Sequence, residues 1–177
     1  MITGEIKNKV DKMWEYFWTG GLTNPVDVIE QLTYLIFMKR LDQEEMRKEK
    51  EQRELAGLFG ETEVKYIFDN DNQDIRWSNL IQLGTPKELF EKVRNKAFDF
   101  MKNLDENKES LFSQYMKNAI FKVPTPAVLQ NTMDTIEDIF NMPQMTEDKD
   151  TKGDLYEYLL SKLSTSGTNG QFRTPKH

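Results

Sequence analysis

Three aspartates stand close together in Asp69-Asn70-Asp71-Asn72-Gln73-Asp74, a spacing at which carboxylates can share a hard cation such as calcium. The run lacks the loop glycine and the closing glutamate of an EF-hand, so it reads as a polar turn. Carboxylates are plentiful on the helix faces, but no spacing singles out an acid/base pair. There is no cysteine, and the single histidine is His177, the last residue. Disulfides, thiolate zinc sites, cysteine nucleophiles, a Ser–His–Asp triad and a multi-histidine metal centre are therefore all excluded within this chain. No Gly-rich phosphate loop and no GxGxxG follows any strand-like run, and Gly167-x-x-Gly170 is too short to serve as one. No catalytic residue and no metal ligand is expected among these residues.

Basic side chains are the remaining candidates. Lys87, Lys92, Arg94, Lys96, Lys102, Lys108, Lys117 and Lys122 face six acids over residues 87–122, a net of +2. Lys7, Lys9 and Lys12 lie on the first helical stretch. Either group could touch phosphates or simply form a solvated face. Residues 134–150 hold six acids and one lysine, a net of −5 that should repel phosphates.

The elements that must position these residues are helical. Ile6, Val10, Met13, Trp14, Phe17 and Trp18 follow a 3.6-residue period and predict a helix over about Glu5–Trp18, stopped by Gly20-Gly21. Asn24-Pro25 starts a second helix, apolar nearly all round from Val26 to Met38 and hence buried. From Lys39 to Glu54 it carries six cations and six acids, the composition of a solvated surface helix laced with i,i+4 pairs, or of an arm that leaves the core and projects into solvent. Residues 62–84 are open between a small hairpin and an irregular excursion, because Val64, Tyr66 and Phe68 alternate before the aspartate run. Thr85-Pro86-Lys87-Glu88 is a capping box that opens a helix to about Leu104 with Leu89, Phe90, Val93, Ala97, Met101 and Leu104 inward. A shorter helix follows near Ser110–Asn118, another after Thr125-Pro126, and a last one over about Asp150–Leu163. Ser164 to Gly170 has linker composition. The fold class expected is all-α, a multi-helix orthogonal bundle of about six helices over residues 1–163, with an extended tail over 164–177.

At 177 residues the chain is long enough to bury a sizeable core. With 24 basic against 30 acidic residues the net charge is −6, which argues against a stand-alone DNA binder that works by blanketing phosphates. No apolar run reaches the ~18 residues of a membrane span, and the N-terminus has no signal-peptide pattern. A soluble cytoplasmic protein with no membrane association is expected.

Two linked motifs carry a family resemblance. Asp150-x-x-Gly153-Asp154-Leu155-Tyr156-Glu157-Tyr158-Leu159-Leu160, followed after the linker by Gly170-Gln171-Phe172-Arg173-Thr174-Pro175, resembles the methylase subunits of type I restriction–modification systems. There a D-x-x-G-x-x-Y-E-x-L helix precedes G-[QE]-[FY]-[FY]-T-P. The Trp-rich first helix, Leu32-Thr33-Tyr34-Leu35-Ile36-Phe37-Met38-Lys39-Arg40-Leu41 and Trp77-Ser78-Asn79-Leu80 are similar to that family's helical N-terminal domain.

The resemblance implies a parent enzyme that transfers a methyl group from S-adenosylmethionine to adenine N6 in DNA, on a flipped-out base. Its partners would be DNA and a specificity subunit, and through the latter a second methylase subunit and the restriction subunit. It implies that Gln171, Phe172, Arg173, Thr174, Pro175 and Lys176 lie against the cofactor pocket. Arg173 stands where the family has an aromatic; a guanidinium can stack or pair with a carboxylate instead. The Gly-rich cofactor loop and the Asn-Pro-Pro-[FY] motif are absent here, and Asn24-Pro25 is followed by Val26. The chain therefore reads as the N-terminal part of a larger methylase, for assembly and DNA clamping, with no cofactor bound to it alone. A helical adaptor without a nucleic-acid role is the alternative, and fusion to a single-chain restriction–methylation enzyme is a third reading.

Overall fold

The computed structural model describes residues 3–60, 64–104, 116, 118–147, 154–155, 157–159 and 161. The chain divides into two compact units, Met1–Tyr34 with Phe121–His177 and Leu35–Ile120. Helices dominate, and there is no strand among the described residues. The all-α expectation holds. The helix expected near Ser110–Asn118 and the tail over 164–177 lie largely or wholly outside the described residues.

The first unit opens with α1 (Gly4–Thr19). Thr3 caps it, its hydroxyl oxygen accepting from the Ile6 N–H at 3.3 Å. Ile6, Val10, Met13 and Phe17 form its buried face. The expected stripe was wider: Trp18 stays 44% exposed, because it sits at the margin of that face in the last turn. Gly21, at φ +107°, takes the left-handed conformation that ends the helix, and the Leu22 N–H returns to the Phe17 carbonyl at 2.9 Å. Gly20 is needed for a different reason. A Cβ there would lie 2.5 Å from Val128 Cγ2, so only glycine lets α1 end this close to the next layer.

That layer is α6 (Pro126–Phe140), which packs along α1. Thr125 caps it by accepting from the Val128 N–H at 3.1 Å, and Pro126 occupies the first turn, as the sequence predicts. Val128, Leu129, Met133, Ile136, Ile139 and Phe140 point inward. A short α7 (Pro143–Glu147) follows, then helical residues at Asp154–Leu155, Glu157–Leu159 and Ser161. Leu155 and Leu159 are buried, Tyr158 Oη donates to Asp11 Oδ1 at 3.2 Å, and Lys7 Nζ stands 5.7 Å from the Tyr158 ring centre. The start of α2 (Pro25–Phe59) also belongs here. Asn24 caps it, accepting from Val26 N at 2.9 Å and Asp27 N at 3.4 Å. Buried Gln31 accepts from the Lys122 N–H at 2.9 Å, and Asp27 meets Lys122 Nζ at 3.1 Å, tying the chain before α6 to α2.

The second unit is built on the rest of α2. Against it lie the stretch 64–69, a 3₁₀ turn (Asn70–Ile75) and α3 (Trp77–Leu80). Then come α4 (Pro86–Lys92), a π-turn (Val93–Ala97) and α5 (Phe98–Asn103), which follow one another without a break. Of the two readings left open for residues 62–84, the irregular one is found. Thr85 caps α4 as expected, its hydroxyl oxygen accepting from Glu88 N at 3.2 Å; in place of the box's reciprocal bond to the Thr85 N–H, the Glu88 carboxylate accepts from the Thr85 hydroxyl at 3.3 Å. The π-turn departs from the regular helix expected over 86–104. Its extra residue rotates the following face, so that Phe98 is buried beside Ala97 and Met101 while Leu104 is only half-buried; Phe90, before the turn, is half-buried as well. Phe68 stacks on Phe100 at 4.9 Å between ring centres, and the void left among Met38, Leu41, Phe68, Ile75, Ala97, Phe100 and Met101 is about 10 Å³.

One buried group in α6 is badly served. The Thr135 hydroxyl donates to the Asn131 carbonyl at 2.9 Å, the usual solution for a threonine inside a helix. Thr132, fully buried, has no partner for Oγ1 among the described residues. An unmet buried hydroxyl costs about 1–3 kcal/mol, and valine has nearly the same shape. Thr132→Val should therefore raise the unfolding free energy by about 1 kcal/mol, read as a higher denaturant midpoint with an unchanged slope.

Candidate functional site

Three carboxylates on α2, Asp42, Glu45 and Glu49, stand at i, i+3 and i+7, hence on one face of the helix. Each engages the segment that follows α2. Glu45, 1% exposed, accepts from Ile67 N at 2.9 Å through Oε1 and from Phe68 N at 2.8 Å through Oε2. Asp42, 2% exposed, accepts from Arg76 Nε at 2.6 Å and from Ser78 N at 2.8 Å, so it also caps the first turn of α3. Glu49 receives both terminal nitrogens of Arg76 at 3.0 Å, a bidentate pair. Lys48 donates to the Lys65 carbonyl at 2.9 Å, and Lys39 Nζ lies 5.9 Å from the centre of the Trp77 ring.

This corrects the expectation that α2 is solvated, as a surface helix or a projecting arm, from Lys39 to Glu54. Over Lys39–Glu49 its charges hold a strap, residues 64–80, in place. Arg76 is held above its ordinary value, chiefly by donating to Glu49, with burial opposing and Asp42 adding to the rise. The solvated reading does fit Arg47, which is exposed and pairs with Glu44 and Glu51 along the helix. The Glu44 carboxyl lies below its usual range, mainly because it accepts from Arg47.

The aspartate run is likewise engaged by the protein's own cations. Asn72 Nδ2 donates to Asp69 Oδ1 at 2.7 Å inside the 3₁₀ turn. Lys92 and Lys96 reach Asp74 at 2.9 and 2.7 Å, and Lys96 also donates to the Asp71 carbonyl. No His/Cys/Asp/Glu group among the described residues is suited to a metal ion. The expected polar turn is the 3₁₀ turn Asn70–Ile75, with Lys92 and Lys96 as the counter-ions of Asp74.

The same bonds decide what is left for phosphates. Of the eight basic candidates over 87–122, Lys92 and Lys96 are tied to Asp74, and Lys122 to Asp27. Arg94 lies over the Phe90 ring at 5.2 Å and donates to Asn95. Lys87 is exposed and Lys102 half-buried, and neither has an ion pair among the described residues; Lys108 and Lys117 lie outside them. On α1, Lys7 and Lys12 are exposed and Lys9 is half-buried. In the acidic stretch, Asp134 and Asp138 are exposed. Gln171, Phe172, Arg173, Thr174, Pro175 and Lys176, the expected cofactor-side residues, lie outside the described residues. An open groove of about 360 Å³ runs beside the π-turn, lined by Leu83, Glu88, Glu91, Lys92, Asn95 and Lys96; it offers no aromatic surface for an adenine ring.

Sequence reasoning missed the strap because its partners are far apart in the chain: Arg76 lies 34 residues from Asp42. The one available signal was the i, i+3, i+7 spacing of the three carboxylates. Removing one member of a buried, hydrogen-bonded pair leaves the other uncompensated, at a cost of about 3–5 kcal/mol. Asp42→Ala should therefore lower the unfolding free energy of the unit by about 3 kcal/mol, whereas Arg47→Ala should leave the denaturation midpoint unchanged. The acid response has its own signature. Burial pulls the Asp74 carboxyl up, but donation from Lys96 and Lys92 outweighs it and holds the group below its ordinary value. A depressed carboxyl stabilises the fold fully above its unfolded pKa of ~3.9 and loses that contribution as pH falls through the folded value. Asp74→Asn should thus flatten part of the acid limb of the stability–pH curve below about pH 4.

No helix among the described residues is long and apolar enough to cross a membrane. No curated protein and no solved structure matches the chain. The family model described as HsdM N-terminal domain matches residues 6–136, from the first turn of α1 into the last turns of α6. By that match the chain belongs to the family, the N-terminal domain of the methylase subunit of type I restriction–modification systems.

Proposed function

We propose that this domain is the assembly and clamp element of an adenine-N6 DNA methylase. It docks on the specificity subunit, and through that subunit it joins a second methylase subunit and the restriction subunit. In the assembled enzyme it closes against DNA, while a catalytic domain of the same subunit transfers the methyl group from S-adenosylmethionine. The observation that carries this reading is the family match over residues 6–136.

The chemistry of the described residues supports a non-catalytic role. Two clusters of titratable groups, Asp42–Arg76–Glu49 and Lys92–Asp74–Lys96, are closed on themselves by ion pairs. The groove beside the π-turn has no stacking surface for an adenine ring, which supports a cofactor held by the catalytic domain of the subunit. With a net charge of −6, the domain brings little phosphate affinity of its own. Its part is to present a rigid surface to a protein that reads the sequence.

The test is a binding measurement in two steps. The chain alone should show little affinity for a duplex at ~0.15 M salt, where nonspecific binding is already weakened. Mixed with a cognate specificity subunit it should form a complex by size exclusion with light scattering. Tight DNA binding by the isolated chain, or no complex with the specificity subunit at micromolar concentration, would overturn the assembly reading. For the parent enzyme, label from S-adenosylmethionine should appear in N6-methyladenine and not in methylated cytosine.

A further inference from the structure

The helical segment that carries Leu155, Tyr158 and Leu159 lies beyond residue 136, where the family-matched region stops. It is held to the first unit in two ways. Leu155 and Leu159, one helical turn apart, are buried. Tyr158 reaches α1 from the solvent side: Oη donates to Asp11 Oδ1 at 3.2 Å, and Lys7 Nζ stands 5.7 Å from the ring centre. Lys7 and Asp11 are exposed, and each follows a buried residue, Ile6 and Val10, by one position. They therefore lie on the flank of the buried face of α1, not within it.

The contrast with α6 is one of degree. Eight residues of α6 are buried, whereas the described part of the last segment buries two leucines and adds bonds that water can replace. Few buried apolar side chains and solvent-exposed hydrogen bonds mark an element that opens by itself, below the free energy of global unfolding. The helix before it, α7, has its own tie: Met145 is buried, and Gln144 Nε2 donates to Thr3 Oγ1 at 3.2 Å, at the cap of α1. Chain length gives an opening a consequence. From Ser161 to Gly170 is nine residues, a reach of at most roughly 30 Å. From Glu147, the end of α7, to Gly170 is 23 residues, a reach of at most roughly 80 Å.

We propose that the segment of Leu155, Tyr158 and Leu159 is a releasable latch on α1. Docked, it holds the chain from Gly170 onward close to the first unit; released, with α1, α6 and α7 still folded, it more than doubles the reach of that chain. The latch does not rest on the assembly reading, since its test needs neither DNA nor a partner. Amide hydrogen exchange of the whole 177-residue chain, read residue by residue by NMR, reports it. The Leu159 and Ser161 amides should be protected, yet exchange at least roughly tenfold faster than those of Val10, Met13 and Met133. Tyr158→Phe removes the bond to Asp11 and should speed exchange at these two amides about threefold. Tyr158→Ala also removes the ring beside Lys7 and should speed it at least roughly tenfold, with the α1 and α6 amides unchanged. Equal protection of Leu159 and Val10 in the wild-type chain overturns the proposal, because the segment then opens only with the whole unit. Absence of any protection at Leu159 overturns it as well, because nothing is then docked. So does a Tyr158→Ala chain that exchanges like the wild type, or one in which the α1 and α6 amides accelerate by the same factor.

Discussion

The second unit is organised around carboxylates that α2 turns inward. Residues 64–69 have no regular structure, yet their backbone N–H groups at Ile67 and Phe68 leave solvent. A buried N–H without a partner costs more than most contacts return, so a stretch of this kind cannot close over a core unless something accepts from it. Glu45 does so with both oxygens, and Asp42 does the same for Ser78 while holding Arg76. With those bonds made, Phe68, Ile75 and Trp77 can enter the core and stack or pack against α2 and the α4–α5 run.

Buried charge is a poor source of net stability, because desolvation takes back most of the attraction. Its contribution here is to placement. Each oxygen of Asp42 and Glu45 has a named donor, and the guanidinium of Arg76 is divided between Asp42, Glu49 and Gln73. An apolar strap could slide along a leucine-rich helix by a turn with little penalty. A strap bound through Arg76 and three backbone N–H groups has one register only. The cation–π contact of Lys39 with Trp77 sits at one end of that register and the Lys48–Lys65 bond toward the other.

What could be read in advance was local. Asn24, Thr85 and Thr125 announce helix starts because a cap needs only its own next three residues, and all three caps are made. The buried first half of α2 was legible for the same reason, since nearly every position there is apolar. The second half misled because composition cannot distinguish a carboxylate paired with its helix neighbour from one paired with a residue 27 or 34 positions away. Glu51 and Asp42 look alike in sequence; one is exposed and the other buried. The π-turn was hidden too, since Ala97-Phe98 allows two helical faces and only the packing of Phe98 chooses between them. The family, by contrast, was legible in the sequence. The resemblance rested partly on a motif beginning at Asp150, whereas the matched region stops at residue 136, so the helical body carries the identity by itself.

The distribution of ion pairs bears on how such a domain can serve a DNA enzyme. Lys92, Lys96, Lys122, Arg47 and Arg76 are each bound to a carboxylate of the same chain. A lysine that leaves an aspartate for a phosphate exchanges one anion for another, and releases fewer counter-ions from the duplex than a free lysine would. Under the assembly reading, affinity for DNA must then come mainly from other parts of the complex. What the second unit supplies is placement: a strap held on α2 in one register by buried hydrogen bonds. Under the clamp reading, low phosphate affinity lets a domain close and reopen around a duplex, because it adds no strong salt-dependent hold of its own.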